Sequence, residues 1–278
     1  MALPAQSSSP LFLSMITSTS NPRAKVIRSL YSPDGRRRES AYVIEGVRLM
    51  EEALAAGVAF RTIYYCSRLL AATARGARLL SELTARGLPI EEMSERVLAA
   101  VADTVTPQGV LAVLPLPPRP GFPADARLLL LLDGLQDPGN LGTMLRTALA
   151  AGADGVIAGP GCADVFAPKV VRAAMGAHFG LPVIVARSWD EISPQLGGQQ
   201  VLVAVPQGGR DYDQVDWLLP SVLVVGGESQ GVSDRARALA TGEVSIPMAP
   251  GVESLNAAVA AGVMLFEARR QRLRGSGS

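Results

Sequence analysis

The chain has 278 residues, 48% of them hydrophobic, 18% charged and 5% aromatic, with a formal net charge of +1. That length holds one large domain or two ordinary ones, and the composition excludes both a disordered chain and a polycation. Cys66 and Cys162 have no CxxC partner, so neither a disulfide scaffold nor a metal site is expected, and a reducing cytoplasm fits.

No apolar run approaches the ~18 residues of a membrane-spanning helix, so no membrane role is expected. No basic stretch precedes "LFLSMI", which argues against a secretory signal. Residues 1–20 are rich in Ser and small residues without periodicity and read as a disordered extension. Met15 opens "MITSTSNPRAK" and is an alternative start. Five prolines in "LPLPPRPGFPA", residues 114–124, predict a stiff linker over 115–123. The chain thus divides into 21–114 and 124–278. The first piece carries 13 Lys/Arg against 10 Asp/Glu and the second 12 against 15, so the first is the better holder of a polyanion.

In the first piece, Arg36, Arg37 and Arg38 form a run in a loop opened by "SPDG", a candidate RNA contact. "RLMEEALAAG" predicts a helix stopped by Gly57, "FRTIYYC" a strand and "ARLLSELTARG" a second helix. "PIEEMSERVLAAVA" predicts a third helix and "GVLAVLP" a closing strand. The whole is a small α/β domain.

The second piece alternates strand and helix. Strands are predicted at 127–132, 155–158, 182–186, 200–205, 221–225 and 243–247. Helices are predicted at about 141–151, 167–178, 190–196, 233–240 and 254–271. Continuous apolar runs such as "SVLVVGG" fit a parallel sheet covered on both faces. Three strand ends carry unusual loops: "QDPGNLGTMLRTA", "VVGGESQGVSD" and "IPMAPGVESLNAAVAAG". Ligands of a parallel sheet sit beyond the carboxyl ends of its strands, so the three loops are placed to meet. Gly226 and Gly227 offer bare backbone to a flat ligand, and Ser254 stands where a helix N-cap is predicted. A nicotinamide or flavin enzyme would need a GxGxxG turn and an acidic ribose ligand, and both are missing. His178, the only histidine, lies outside the three loops and reads as structural. "RRQRLR" at the C-terminal end is a second candidate basic patch, with a solvated helix end as the plainer reading.

In this order, the three loops resemble the motifs of the SpoU/TrmH family of RNA ribose 2′-O-methyltransferases, in the SPOUT class. "NPRAKVIRSL" and "YVIEGVRLMEEAL" resemble that family's N-terminal substrate-binding domain of ribosomal-protein L30e-like fold. The resemblance implies an α/β chain with a C-terminal SPOUT parallel sheet tied into a deep trefoil knot. It implies S-adenosylmethionine as cofactor and RNA as partner, 23S ribosomal RNA foremost; a tRNA methyltransferase and a non-catalytic RNA-binding protein are the alternatives. Gly226, Gly227, Ile246, Met248 and Leu255 would hold the cofactor; Asn140, Arg146, Glu228, Ser254 and Asn256 would line the place of the ribose. Family mechanisms make the arginine a general base. A guanidinium, which keeps its proton at neutral pH, is better suited to clamping the 2′-oxygen and its phosphate, with Glu228 positioning it. Ala174 departs from the family, where many members have a small hydroxyl residue. A homodimer is implied, and Ala257, Ala258, Ala261 and Gly262 are the expected close-packing positions.

Overall fold

The computed structural model describes residues 15–118, 121–123, 125–228 and 230–275. Most of the predicted extension (1–14) and three residues in and beside the predicted linker (119, 120 and 124) lie outside them. Two compact units divide the chain, the second beginning at Leu116 apart from two short segments.

The first unit runs α1 (Pro22–Ser29), α2 (Pro33–Glu39), β1 (Ala41–Glu45), α3 (Val47–Ala55), β2 (Thr62–Tyr65), α4 (Ser67–Leu70), α5 (Ala74–Ala85), β3 (Ile90–Glu92), α6 (Glu95–Val101) and β4 (Val110–Pro115). Its sheet has the order β1-β4-β2-β3, antiparallel except for β2 with β3. Three expectations change here. "PIEEMSERVLAAVA" is a strand followed by a helix. Ile90 pairs with Ile63 of β2, and the Ser94 hydroxyl caps Val97 N–H, which starts α6 only there. Ile16, inside the expected extension, is buried and bridges Met93, so order reaches back beyond residue 21. The arginine run is helical rather than a loop. Arg36 is 3% exposed and donates to Leu30 O at 2.7 Å, while Arg37 pairs with Asp34 and Arg38 with Glu39.

The second unit runs β5 (Leu128–Asp133), α7 (Pro138–Ala151), β6 (Gly155–Ala158), α8 (Pro168–Ala174), α9 (Ala177–Gly180), β7 (Val183–Val185), α10 (Trp189–Ile192), a 3₁₀ turn (Ser193–Leu196), β8 (Gln200–Ala204), β9 (Arg210–Asp211), β10 (Ser221–Gly226), α11 (Asp234–Arg237), β11 (Gly242–Ser245) and α12 (Ala257–Gly275). The sheet has the order β7-β6-β5-β10-β8-β11-β9 and every pairing is parallel. β5 explains why. All six of its residues are buried, and alternate side chains face opposite sides. Leu128, Leu130 and Leu132 pack with Met144 of α7, Val170 of α8 and Met264 of α12. Leu129 and Leu131 pack with Ile192 of α10 and Ala236 of α11.

The expected helix at 167–178 is two helices, because Met175 and Gly176 both take positive φ between α8 and α9. Gly142 sits where α7 meets α8: a Cβ there would lie 2.5 Å from the Ala173 Cβ and 2.6 Å from the Val170 carbonyl oxygen. The small residues of α12 also serve contacts within the chain. Ala258 and Ala261 are buried in its own core, and a Cβ on Gly262 would meet Thr147 of α7. Ala257 and Gly262 are only half-buried within the chain. The basic end of α12 is likewise anchored. Arg272 donates to the carbonyls of Trp217, Arg127 and Leu219, and Arg270 binds Glu267 through two 2.7 Å bonds.

Candidate active site

Beyond the carboxyl ends of β8, β10 and β11 lies a cavity of about 350 Å³. Val225, Gly226, Gly227, Gly231 and Val232 form one wall, Ile246, Met248, Ser254, Leu255 and Asn256 another, with Ala260 and Met264 from α12. The remaining wall, Ala204–Val205–Pro206 at the end of β8, was missed in the sequence. The only signal there is the "PQGG" turn after a buried strand.

The second loop is tight because its glycines allow it. A Cβ on Gly226 would lie 2.2 Å from the carbonyl carbon of Gly231, and one on Gly227 would lie 2.8 Å from the Gly134 carbonyl oxygen. Asp133, buried at the end of β5, holds both ends of this loop. Its carbonyl accepts from Gly227 N–H at 3.0 Å and its carboxylate from Ser233 N–H at 2.6 Å.

Three loops meet in one hydrogen-bonded cluster at the cavity mouth. Glu228 Oε1 accepts from Asn140 Nδ2 at 2.6 Å and from Asn256 Nδ2 at 2.7 Å, and Asn256 Nδ2 also reaches Asn140 Oδ1 at 3.2 Å. Each amide is set by a helix start. Asp137 caps α7 by accepting from Asn140 N–H at 2.7 Å. Asn256 Oδ1 accepts from Ala258 and Val259 N–H at 2.9 and 3.2 Å. The cap of α12 is thus Asn256 and not Ser254, which lies two residues before it in the cavity wall.

Arg146 is not brought into this cluster. It is exposed on α7, and among the described residues no carboxylate pairs with it. Six residues beyond Asn140, it is turned about 240° around the helix and displaced about 9 Å along it. Within one chain, Glu228 is therefore held by two amides and does not position the guanidinium. His178 lies outside the cavity wall. Its Nε2–H donates to Val165 O at 2.7 Å, and burial pulls its pKa from 6.5 down to about 4 against the opposing pull of that carbonyl and Asp164. Ala174 is fully buried in the core. The Cys162 thiol is pushed up by burial.

The sequence model of the SpoU rRNA methylase family matches residues 127–266, which include all three loops. The chain belongs to that family. An MRM3-like substrate binding domain matches residues 21–112 of this SpoU-family methyltransferase. An uncharacterized tRNA/rRNA methyltransferase of Synechocystis is 39% identical over 267 residues, covering 95% of this chain and 96% of the relative. The 23S rRNA (guanosine(2553)-2'-O)-methyltransferase RlmP of Bacillus subtilis is 34% identical, covering 92% of this chain and all of the relative. Among solved structures, an AdoMet-bound rRNA methyltransferase from Sinorhizobium meliloti matches with a TM-score of 0.79 and 34% identity, over 92% of this chain and 97% of that one.

Proposed function

We propose that this SpoU-family enzyme methylates the 2′-oxygen of a ribose in RNA, with 23S ribosomal RNA as substrate and S-adenosylmethionine as methyl donor. The observation that carries the reading is the joining of Asn140, Glu228 and Asn256 at the mouth of an apolar cavity edged by bare glycine backbone. The cavity's chemistry fits the cofactor. Its walls are mainly apolar side chains and glycine main chain, with Glu228, Ser254 and Asn256 as the polar side chains, and among the described residues no Lys, Arg or His lines it. That favours a nucleoside carrying no phosphate over a dinucleotide, whose pyrophosphate needs cationic or helix-terminal donors. The two relatives acting on rRNA, matched along nearly their whole length, support the substrate class over tRNA.

Gly226, Gly227, Ile246, Met248 and Leu255 would hold the cofactor through main-chain and apolar contacts. When bound, it supplies a methyl group made electrophilic by a sulfonium. Asn140, Glu228, Ser254 and Asn256 present donors and acceptors to the ribose. Arg146 binds the 2′-oxygen and the adjacent phosphate through its fork of donors and stabilises charge growing on that oxygen, while the proton leaves to water. Because Arg146 faces away from its own chain's cluster, we assign a homodimer in which each protomer's Arg146 serves the partner's site. The exposed residues Val259, Phe266 and Leu273, spaced by seven along α12, offer an apolar seam for it. The path of the chain from β10 to α12 we assign to a deep trefoil knot, and the compartment to the cytoplasm.

The test is direct. Calorimetry should show S-adenosylmethionine binding and no NAD binding. Tritiated methyl should pass to a 23S rRNA transcript and not to tRNA, at a ribose that then resists alkaline cleavage. Transfer to a base, or to tRNA alone, would overturn the assignment. Sedimentation showing a fully active monomer would remove the dimer.

A further inference from the structure

We infer that the face made by the N-terminal turns of α3 and α5 in the first unit, carrying Arg48, Arg75 and Arg78, is the surface that grips the phosphate backbone of the RNA. The inference rests on the RNA reading above and sets this face ahead of the Arg36–Arg38 run, whose first member is buried and bonded to Leu30 O.

Most guanidinium groups of this unit are spent within it. Arg23 pairs with Glu91, Arg68 with Glu95 and Arg86 with Glu82, while Arg61 donates to the carbonyls of Glu39 and Ser40. The α3–α5 face differs. Arg75 at the start of α5 grips Glu51 of α3, Nε donating to both carboxylate oxygens at 2.9 and 3.0 Å. Arg48 lies one turn before Glu51 on α3, and Arg78 one turn after Arg75 on α5, so both flank the pair. Among the described residues neither has a carboxylate at ion-pair distance. The Glu51 carboxyl is drawn below its usual range chiefly by the Arg75 hydrogen bond, with Arg78 and Arg48 adding to the pull. Three exposed guanidinium groups thus stand around the Glu51 carboxylate, with the exposed Glu52 one turn beyond Arg48, which leaves a surplus of positive charge.

The scaffold beneath them is rigid. Thr73 caps α5 at Gly76 N–H at 3.0 Å, and a Cβ on Gly76 would fall 1.9 Å from the Leu70 carbonyl oxygen. That lack of space presses the first turn of α5 onto α4. Two helix N-termini add their positive ends to the same face. Fixed guanidinium forks on a rigid surface, with surplus positive charge, fit successive phosphates of a nucleic-acid strand.

The experiment measures binding of a 23S rRNA transcript by the full-length enzyme at several salt concentrations. R48Q/R78Q is compared with K25Q/R96Q, which removes the same charge from α1 and α6. R48Q/R78Q should weaken binding about tenfold and make the plot of log affinity against log salt shallower by about 1.5, as expected for two lost phosphate contacts. K25Q/R96Q should do less than a third as much. Adding R75Q should weaken binding further. Melting temperature and S-adenosylmethionine binding should stay unchanged in all variants. Equal effects from the two pairs, or an unaltered salt slope in R48Q/R78Q, would overturn this face while leaving the activity standing. A wild-type enzyme that binds the cofactor but neither binds nor methylates RNA would overturn the parent reading, and this one with it.

Discussion

Asn256 uses both ends of one amide: Oδ1 caps the first turn of α12, and Nδ2 donates to Glu228 Oε1 at 2.7 Å. The start of a long core helix is thereby coupled to a carboxylate on a different loop. The two jobs separate by substitution. Asn256→Asp keeps an acceptor for the cap but sets a carboxylate against Glu228, so it should leave the melting temperature within a few degrees while methyl transfer falls at least tenfold. Asn256→Ala loses both, with a stability cost of about 1 kcal/mol. Calorimetric melting beside methyl-transfer assays reads this out; an Asp variant with wild-type activity would show the Glu228 contact to be incidental.

Arg146 carries the sharpest mechanistic prediction. If it clamps a developing oxyanion, Arg146→Ala and Arg146→Lys should each lower kcat on the order of 100-fold, because an ammonium cannot reproduce a planar two-point contact. Cofactor affinity should barely change, since Arg146 does not line the cavity. A lysine variant that keeps substantial activity with a shifted pH–rate profile would establish the general-base role instead.

Gly226 has no room for a side chain. Gly226→Ala must push apart two backbone segments that now approach closely. A stability loss of about 1–3 kcal/mol is expected, together with a cofactor Kd raised tenfold or more. Isothermal titration that finds unchanged affinity would separate this loop from the cofactor.

His178 should give the second unit a pH-dependent stability. Its folded pKa of about 4 lies below the 6.5 of the free side chain, so the unfolded chain binds the extra proton. Its contribution is therefore full above pH 6.5, declines as pH falls from 6.5 towards 4, and has vanished below that, a loss of up to ~3 kcal/mol. His178→Gln, which can still donate to Val165 O, should flatten urea-unfolding stability between pH 7 and 5. The same slope in variant and wild type would contradict the assignment.

Strands β5, β6, β8 and β10 were legible because each is a run of apolar residues buried on both faces, a pattern that needs no knowledge of neighbours. β3 was not legible. Ile90–Glu92 is a strand only because Ile63, some 27 residues earlier, is there to pair with it. β9, two residues long, exists for the same kind of reason beside β11. The break between α8 and α9 left a trace in Gly176, but the positive φ of Met175 left none.

The sequence by itself determined the alternation of strands and helices, the three loops beyond the strand ends and the residue types they carry, because these depend on local chemistry and periodicity. Only the tertiary structure decided how those residues are used. It made Asn256 and not Ser254 the cap, buried Arg36, turned Ala258 and Ala261 of α12 onto its own core, gave the cavity a wall from the end of β8, and directed Arg146 away from the cluster that Asn140 joins. Each of these depends on which distant segment occupies the space beside a side chain, and a helical or extended pattern does not contain that information.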